Sequence, residues 1–480
     1  MAEADDLQQH DDLDIHLREV QQLLARHKLV EELVHRQDMP KHDLVESLVH
    51  KQHIHELTHK LESLHSADVA HILEALPLDA RLFVWDLVKA ERDGEILLEV
   101  SDAVRESLIE AMDSASLRAA AEQLDADELA DLAPDLPREV MEAVYQGLDP
   151  EEREQLRAAM SYPEDSVGAL MDFEMVTVRE DVSLEVVLRY LRRFDELPDH
   201  TDQLFVVDRD EHLRGVLPIN RLLINDPETE VSEIMLTDTL TLEPSDEAET
   251  AAQAFERYDL VSAPVVDYHR KLVGRVTVAT VVDFIREETE SELLNQAGLR
   301  EGEDIFASVW DSVKNRWAWL AVNLVTAFIA SRVIGAFEGS IEKLVALAAL
   351  MPIVAGIGGN SGNQTITMIV RGIAMGQVQD DALSRLIKKE MGVALINGIV
   401  WGGLLGVLSW ILYGSGKLGA VMTAAMTLNL LVAAFVGVMA PMIRNRLGQD
   451  PAVGSSVIIT AVTDSGGFFI FLGLATIFLM

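Results

Sequence analysis

The chain has 480 residues and no cysteine, with 39 Lys and Arg against 80 Asp and Glu, a formal net charge of −41. The length calls for several domains, and the missing thiols exclude disulfides, cysteine-zinc sites and thiol catalysis. So acidic a surface is a poor partner for nucleic acid.

The charge is uneven along the chain. Residues 1–313 hold 28 basic and 73 acidic residues, net −45, whereas 314–480 hold 11 and 7, net +4. That split describes an acidic soluble body, for which divalent cations are natural counter-ions, joined to an apolar, mildly basic membrane body. The polar, acidic start MAEADDLQQHDD does not read as a signal peptide.

Residues 1–65 form a polar, His-rich extension with apolar residues at helical spacing (Leu17, Val20, Leu24; Leu44, Leu48), predicting two helices around Met39-Pro40. Of its ten histidines, His55 and His59 stand i,i+4 on one helix face, a spacing that could hold a transition metal. Solvated helix faces account for the same pattern, because no ligand spacing recurs. Residues 66–168 alternate short amphipathic helices with Ser, Asp and Pro at their ends (HSADVAHILEALP, SDAVRESLIEAM, DADELADLAPDLP, DPEEREQL). This predicts an all-α stack of helices, suited to packing or sensing.

The next stretch repeats itself. QLFVVDRDEHLRGVLPINRLL matches SAPVVDYHRKLVGRVTVATVV, with Asp208 and Asp267, and Gly215 and Gly274, in register. Each copy predicts strand, turn, strand, helix, and the pair resembles tandem CBS modules over 169–234 and 235–290. Many such pairs bind adenosine nucleotides through an Asp after the second strand. Arg221 and Thr280 occupy those positions here, which puts ATP in doubt as a ligand. Residues 291–313 are a charged, helix-prone connector.

Five apolar segments follow, at roughly 316–337, 343–370, 391–413, 419–443 and 453–479. Each can cross the hydrocarbon core of about 30 Å. Lys314 and Arg316, then Arg371, Arg385, Lys388 and Lys389, then Arg444 and Arg446 all fall on one side of a five-span topology. That side is cytoplasmic by the positive-inside rule, so the C-terminus is expected outside.

Two features break the apolar pattern. PIVAGIGGNSGNQTITMIVRGIAMG, residues 352–376, holds Gly358, Gly359, Gly362, Asn360, Asn363 and Gln364. Such groups survive in lipid only when buried in protein or lining water. Asp464 lies mid-way along the last segment, where a carboxylate costs about 2.5–3.5 kcal/mol and by default marks an ion path. A Gly-rich packing face and a carboxylate satisfied by nearby hydroxyls are the plainer readings. Together the two features argue for a polar pore.

The order of parts, with PIVAGIGGNSGNQ, KKEMGVALING, RLGQDPAVGSS and TDSGGFF, resembles the MgtE family of magnesium channels. The resemblance implies an acidic N domain, a CBS pair, a connecting plug helix and a five-helix transmembrane domain over 314–480, assembled as a homodimer in the bacterial inner membrane. It implies a pore site for Mg²⁺ at Asp464 with Asn360 close by in a GGNSGNQ turn, and Asp450 as a further acidic position. Closure by intracellular Mg²⁺ would use Glu95, Asp127 and Asp131 of the N domain. It would also use Glu247, Glu249, Asp259, Asp283 and Glu288 of the CBS pair and its exit. Thr280 and Ser291 stand where the family leads one to expect acids. Mg²⁺ wants six oxygens at about 2.0–2.1 Å and dehydrates reluctantly, so one carboxylate per subunit with amide oxygens can hold it without trapping it.

Co²⁺ or Mn²⁺ would also suit an oxygen-lined site. A membrane-anchored CBS sensor is the alternative from another class. An enzyme is not expected: the chain shows no P-loop, HExxH or GxSxG motif.

Overall fold

The computed structural model describes residues 15–27, 42–299, 304–374, 378, 383–449, 451 and 454–480. The chain divides into two compact units. Met1–Glu287 with Asp304–Phe306 make the first, and Glu288–Glu303 with Ala307–Met480 the second.

The first unit opens with helices. Ser66–Glu74, Leu78–Trp85, Asp93–Glu99, Asp102–Ala111, Ser114–Ala121, Ala126–Leu132, Arg138–Gly147 and Pro150–Ala159 follow one another with short turns. Several starts are fixed by side chains. Asp149 accepts hydrogen bonds from the Glu151 and Glu152 amides at 2.8 and 3.0 Å, and Glu152 accepts from the Asp149 amide at 2.8 Å, a reciprocal cap that satisfies amides the helix leaves free. Leu73, Ile96, Leu97, Leu108, Leu129 and Leu132 are fully buried and make the common core. The described part of the His-rich extension joins this core, and the expected turn at Met39-Pro40 lies outside the described residues. Val20, on a helix over 15–27, and Leu57 and Leu61, on His42–Glu62, pack into the same cluster, and Lys60 pairs with Glu19 at 2.7 Å.

The repeat gives two matching modules. In the first, β1 (Thr177–Arg179) runs parallel to β2 (Gln203–Val207), which pairs antiparallel with β3 (Leu213–Pro218). In the second, β4 (Ser262–Val266) pairs antiparallel with β5 (Leu272–Thr277). Val206 faces Gly215 and Val265 faces Gly274, and each hairpin carries an irregularity one residue later. Phe205, Val207, Leu213, Val216, Val266 and Leu272 form one buried cluster that joins the modules. The α/β CBS pair expected from the repeat is present.

The last strand leads into Val278–Ala297, a 20-residue helix that Gly298 follows in the left-handed conformation (φ 77°). Glycine tolerates that backbone because it has no Cβ. The predicted connector over 291–313 is therefore divided: its start belongs to this helix and its end to the next, which begins at Val309.

Among its described residues the second unit has the long helices Val309–Ala336, Ala346–Ala374, Leu383–Tyr413, Gly416–Arg446 and Ser455–Leu479, with the short Glu338–Lys343 after the first. Among the described residues, four of them are long and apolar enough to cross a membrane. Ala346–Ala374 matches them in length and carries the polar run that lowers its hydropathy. Each helix overruns its apolar segment by polar turns at one or both ends, except the last. The expected turn at GGNSGNQ is corrected: the backbone stays helical from Ala346 to Ala374. A continuous helix satisfies its own amides and carbonyls inside the segment, which a turn in hydrocarbon would not.

Gly416–Arg446 is the central helix, buried along most of its length. Gly398, Gly402 and Gly406 form a small-residue stripe that lets Leu383–Tyr413 approach it closely. A Cβ on Gly406 would lie 2.6 Å from the Gly419 carbonyl oxygen. Gly406→Leu should therefore push these helices apart and destabilise the unit by about 1–3 kcal/mol. Thermal unfolding of the detergent-solubilised protein would register this as a lower midpoint, and an unchanged midpoint would remove the stripe from the packing account.

Candidate cation sites

In the helical unit the polar run and Asp464 lie at one level. Gly358 and Gly359 face Thr463, the neighbour of Asp464, and Gly362 packs on Ile459. Asp464 is half-buried, and among the described residues no hydrogen bond or ion pair reaches its carboxylate. Asn360, Asn363 and Gln364 lie on the exposed face of Ala346–Ala374 in a single chain. Asn360 makes no hydrogen bond to Asp464. Asp450 lies outside the described residues.

Two residues of this region were missed in the sequence. Asn429 is fully buried on the central helix, wedged between Gly358 and Gly467 at a crossing of three helices. Its amide donates to the Val354 carbonyl at 2.9 Å, and its Oδ1 has no donor. Glu390 is buried on Leu383–Tyr413, accepting from Thr365 Oγ1 at 3.3 Å and pairing with Lys389 at 3.2 Å. A buried carboxylate and a spare carboxamide oxygen are hard, oxygen-only donors, the class that suits Mg²⁺. Asn429 lies in no motif, and Glu390, though inside KKEMGVALING, follows two lysines like an ordinary surface acid, so only the packing singles them out.

The first unit concentrates carboxylates where its helices meet the CBS modules. Asp127 and Asp131 are one turn apart on Ala126–Leu132. Asp127 Oδ1 is buried without a hydrogen-bond partner. Burial, reinforced by the charges of Asp172, Glu128 and Asp125, pushes its carboxyl up to about 8. Burial likewise raises Asp125, Glu128, Asp172 and Glu174, with Arg275 opposing the shift at Asp172 and Glu174. Arg275 holds Asp172 at 2.7 Å and is itself buried. Asp125, Asp127, Glu152 and Glu174 line a cleft of about 320 Å³, with Phe173 and Phe194 on its apolar side. At Asp127 this crowding favours the protonated carboxyl near neutral pH, and a cation would favour the charged form.

The other predicted acids fall in several places rather than one. Glu95, held by Ser66 Oγ at 2.6 Å, acts on Glu128 through its charge. Asp131 keeps solvent contact; its carboxyl rises to about 6 through partial desolvation, opposed by Arg105 and reinforced by Glu287. Asp283 acts on the same Glu287, and Glu288 follows it on the helix. Glu247 and Glu249 form a separate exposed pair at the start of Ala248–Tyr258. Asp259 ends that helix in a left-handed conformation (φ 51°). Glu128, Asp172, Glu174 and Glu287 were missed, because among 73 acids only burial distinguishes them.

His55 and His59 are both exposed on the helix His42–Glu62. Among the described residues, the one clustered set of three metal-type ligands is Asp208, Asp210 and His212. There Asp208 is already taken by Arg214 at 2.9 Å, by His212 at 3.3 Å and by two backbone amides. That is a satisfied turn.

Comparison with known proteins agrees with this layout. Residues 351–474 match the MgtE divalent cation transporter domain, 64–165 the MgtE intracellular N domain, and 167–226 and 231–287 the CBS domain. The magnesium transporter MgtE of Thermus thermophilus is 32% identical over 426 residues, covering 87% of this chain and 94% of its own. The chain belongs to the MgtE family. The Bacillus subtilis MgtE magnesium transporter is 26% identical over 421 residues, 87% of this chain and 93% of its own. A solved cytosolic domain of the Mg²⁺ channel MgtE in complex with ATP is 31% identical, covers 50% of this chain and 98% of its own, and superposes with a TM-score of 0.45. The MgtE transporter match spans the polar run, Glu390, Asn429 and Asp464, and the N domain match spans Glu95, Asp127 and Asp131. MgtE proteins are transporters, not enzymes, in keeping with the absence of catalytic motifs.

Proposed function

We propose that this chain conducts Mg²⁺ passively through the cell inner membrane as a homodimer and closes when intracellular Mg²⁺ binds its acidic cytosolic unit. The observation that carries the reading is Asp464, a half-buried carboxylate mid-way along an apolar helix with no protein partner among the described residues. A carboxylate kept there at an energetic cost is expected to serve an ion. With Asn360 and, on the adjacent helices, Asn429 and Glu390, it supplies oxygens only.

The dimer is supported by the outer face of Ala346–Ala374. Hydrocarbon gives Asn360, Asn363 and Gln364 no hydrogen bonds, so a second copy packed there, with water between the two Asp464 carboxylates, resolves the mismatch. The basic clusters support cytosolic N-terminal domains. Gating is supported by the cleft around Asp127, where Mg²⁺ would replace a missing counter-charge and shift a two-state equilibrium toward the packed form. Glu95, Asp131, Glu247, Glu249, Asp259, Asp283 and Glu288 are proposed as further cation-sensing acids, and Asp450 as an acid at the pore's cytosolic side. An adenine nucleotide would be a modulator of the CBS pair. Its ribose finds no carboxylate at Arg221, which donates to the Ile234 carbonyl, or at Thr280, bonded to Thr277.

The test is tracer or dye-reported flux in liposomes holding the purified full chain. Mg²⁺ should enter down its gradient without ATP, follow an imposed membrane potential, and slow as internal Mg²⁺ rises. Uptake that needs ATP, or no uptake at all, would sink the channel reading. Co²⁺ and Mn²⁺ offered in competition would show whether the same path admits them.

A further inference from the structure

Arg81 is a guanidinium with no solvent exposure, in the core of the helical N domain. Its Nε donates to the Leu73 carbonyl at 2.9 Å, and its Nη1 donates to Ser107 Oγ at 3.3 Å and to Asp304 Oδ2 at 2.7 Å. Asp304 is more than two hundred residues away in sequence, and its other oxygen accepts from the Phe306 amide at 2.8 Å. The short segment Asp304–Phe306 thus belongs to the cytosolic unit. Four residues after Asp304, Ser308 caps the first membrane helix.

Apolar burial does not hold this segment: Ile305 is 93% exposed and Phe306 38%. The grip is the ion pair. A buried pair is weak evidence for stability, since apolar residues of similar volume often do as well, and its best-attested use is to fix register. Arg81 accordingly looks misplaced as a core residue and well placed as a socket for one carboxylate.

We propose that Arg81 and Asp304 are positioning residues for gating. They couple the N domain directly to the chain entering the first membrane helix, in parallel with the route through the CBS pair. The proposal rests on the Mg²⁺-gated reading above. Movement of the N domain that accompanies cation binding would pull on Asp304 and hence on the helix start. Without the pair, the N domain could still bind cations but would transmit less to the pore.

The test uses the full chain in liposomes with internal Mg²⁺ titrated. Asp304→Asn should raise the internal Mg²⁺ needed for half-inhibition by at least about tenfold, with flux at zero internal Mg²⁺ unchanged. Asp304→Glu, which keeps the charge, should restore most of the response. A purely structural pair would lower the melting midpoint without moving the half-inhibiting concentration. Should Asp304→Asn fail to fold, the double variant Arg81→Met with Asp304→Leu removes both charges without stranding either and should show the same shift. An unmoved curve in a folded variant, or a shift to lower Mg²⁺, overturns the pair. A wild type blind to internal Mg²⁺ would sink the gating reading and the pair with it, whereas a responsive wild type with an unmoved variant sinks the pair alone.

Discussion

Asp464→Ala should abolish Mg²⁺ uptake while making the membrane unit more stable. The two changes share one cause. A carboxylate in the middle of an apolar helix opposes insertion by about 2.5–3.5 kcal/mol, and among the described residues no protein group compensates it. Removing it relieves the unit and strips the path of its formal charge. For a divalent ion that must give up part of its water, a fall in flux of at least about a hundredfold corresponds to about 2.7 kcal/mol, modest for the loss of a carboxylate from its path. Asp464→Glu should retain partial flux, because the charge survives with displaced geometry. The decisive comparison sets flux in liposomes beside thermal unfolding of the same preparations. Lost flux with a raised or equal melting midpoint supports a pore carboxylate. Lost flux with a collapsed midpoint would mean a structural role, and unchanged flux would remove Asp464 from the path.

The second large effect concerns Asp127. Its carboxyl titrates near 8 in the packed unit, against about 3.9 in an unfolded chain. The sign follows from linkage. A carboxyl whose folded value is raised favours the packed form below about pH 4, and the advantage is lost as pH climbs toward 8, where the packed form must hold an uncompensated charge. Without cations, the packing of the N domain against the CBS modules should therefore loosen between about pH 5 and 8. Mg²⁺ should reverse this and displace close to one proton at pH 7, a release readable by calorimetry in buffers of different ionisation heat. Asp127→Asn keeps the shape and removes the charge. It should remove the largest part of the pH dependence, stabilise the packed unit in the absence of Mg²⁺ by up to about 4 kcal/mol at pH 7, and leave flux low even with little internal Mg²⁺. Proton release and pH dependence that persist undiminished in Asp127→Asn would assign both to the surrounding acids.

Much of this architecture was legible in residues. The repeat around Asp208 and Asp267 specified the CBS hairpins, because strands and turns are written in local alternation. Apolar length and flanking Arg and Lys marked the long helices, and a carboxylate within one of them is conspicuous. The helix through GGNSGNQ was not legible. Its glycines and asparagines favour turns by local preference, and the opposing requirement, that backbone groups be satisfied within the segment, acts over the whole helix. Asn429 and Glu390 were invisible for a related reason: an Asn in TLNLL and a Glu in KKEMG gain meaning only from the helices that bury them. In the first unit acids are so abundant that sequence position cannot single out Asp127. Its orphaned oxygen comes from burial, and the charge of Asp172 adds to the shift.

The family match to the N domain begins at residue 64, an inviting place to start a shorter version of the chain. The fold argues against doing so. Val20, Leu57 and Leu61, all upstream of that point, sit in the same cluster as Ile72 and Leu73. Trimming there would leave an oily facet facing water, prone to self-association. The product would report on clumping rather than on cation sensing. For biochemists working with this chain, the useful boundary is set by what covers Leu73.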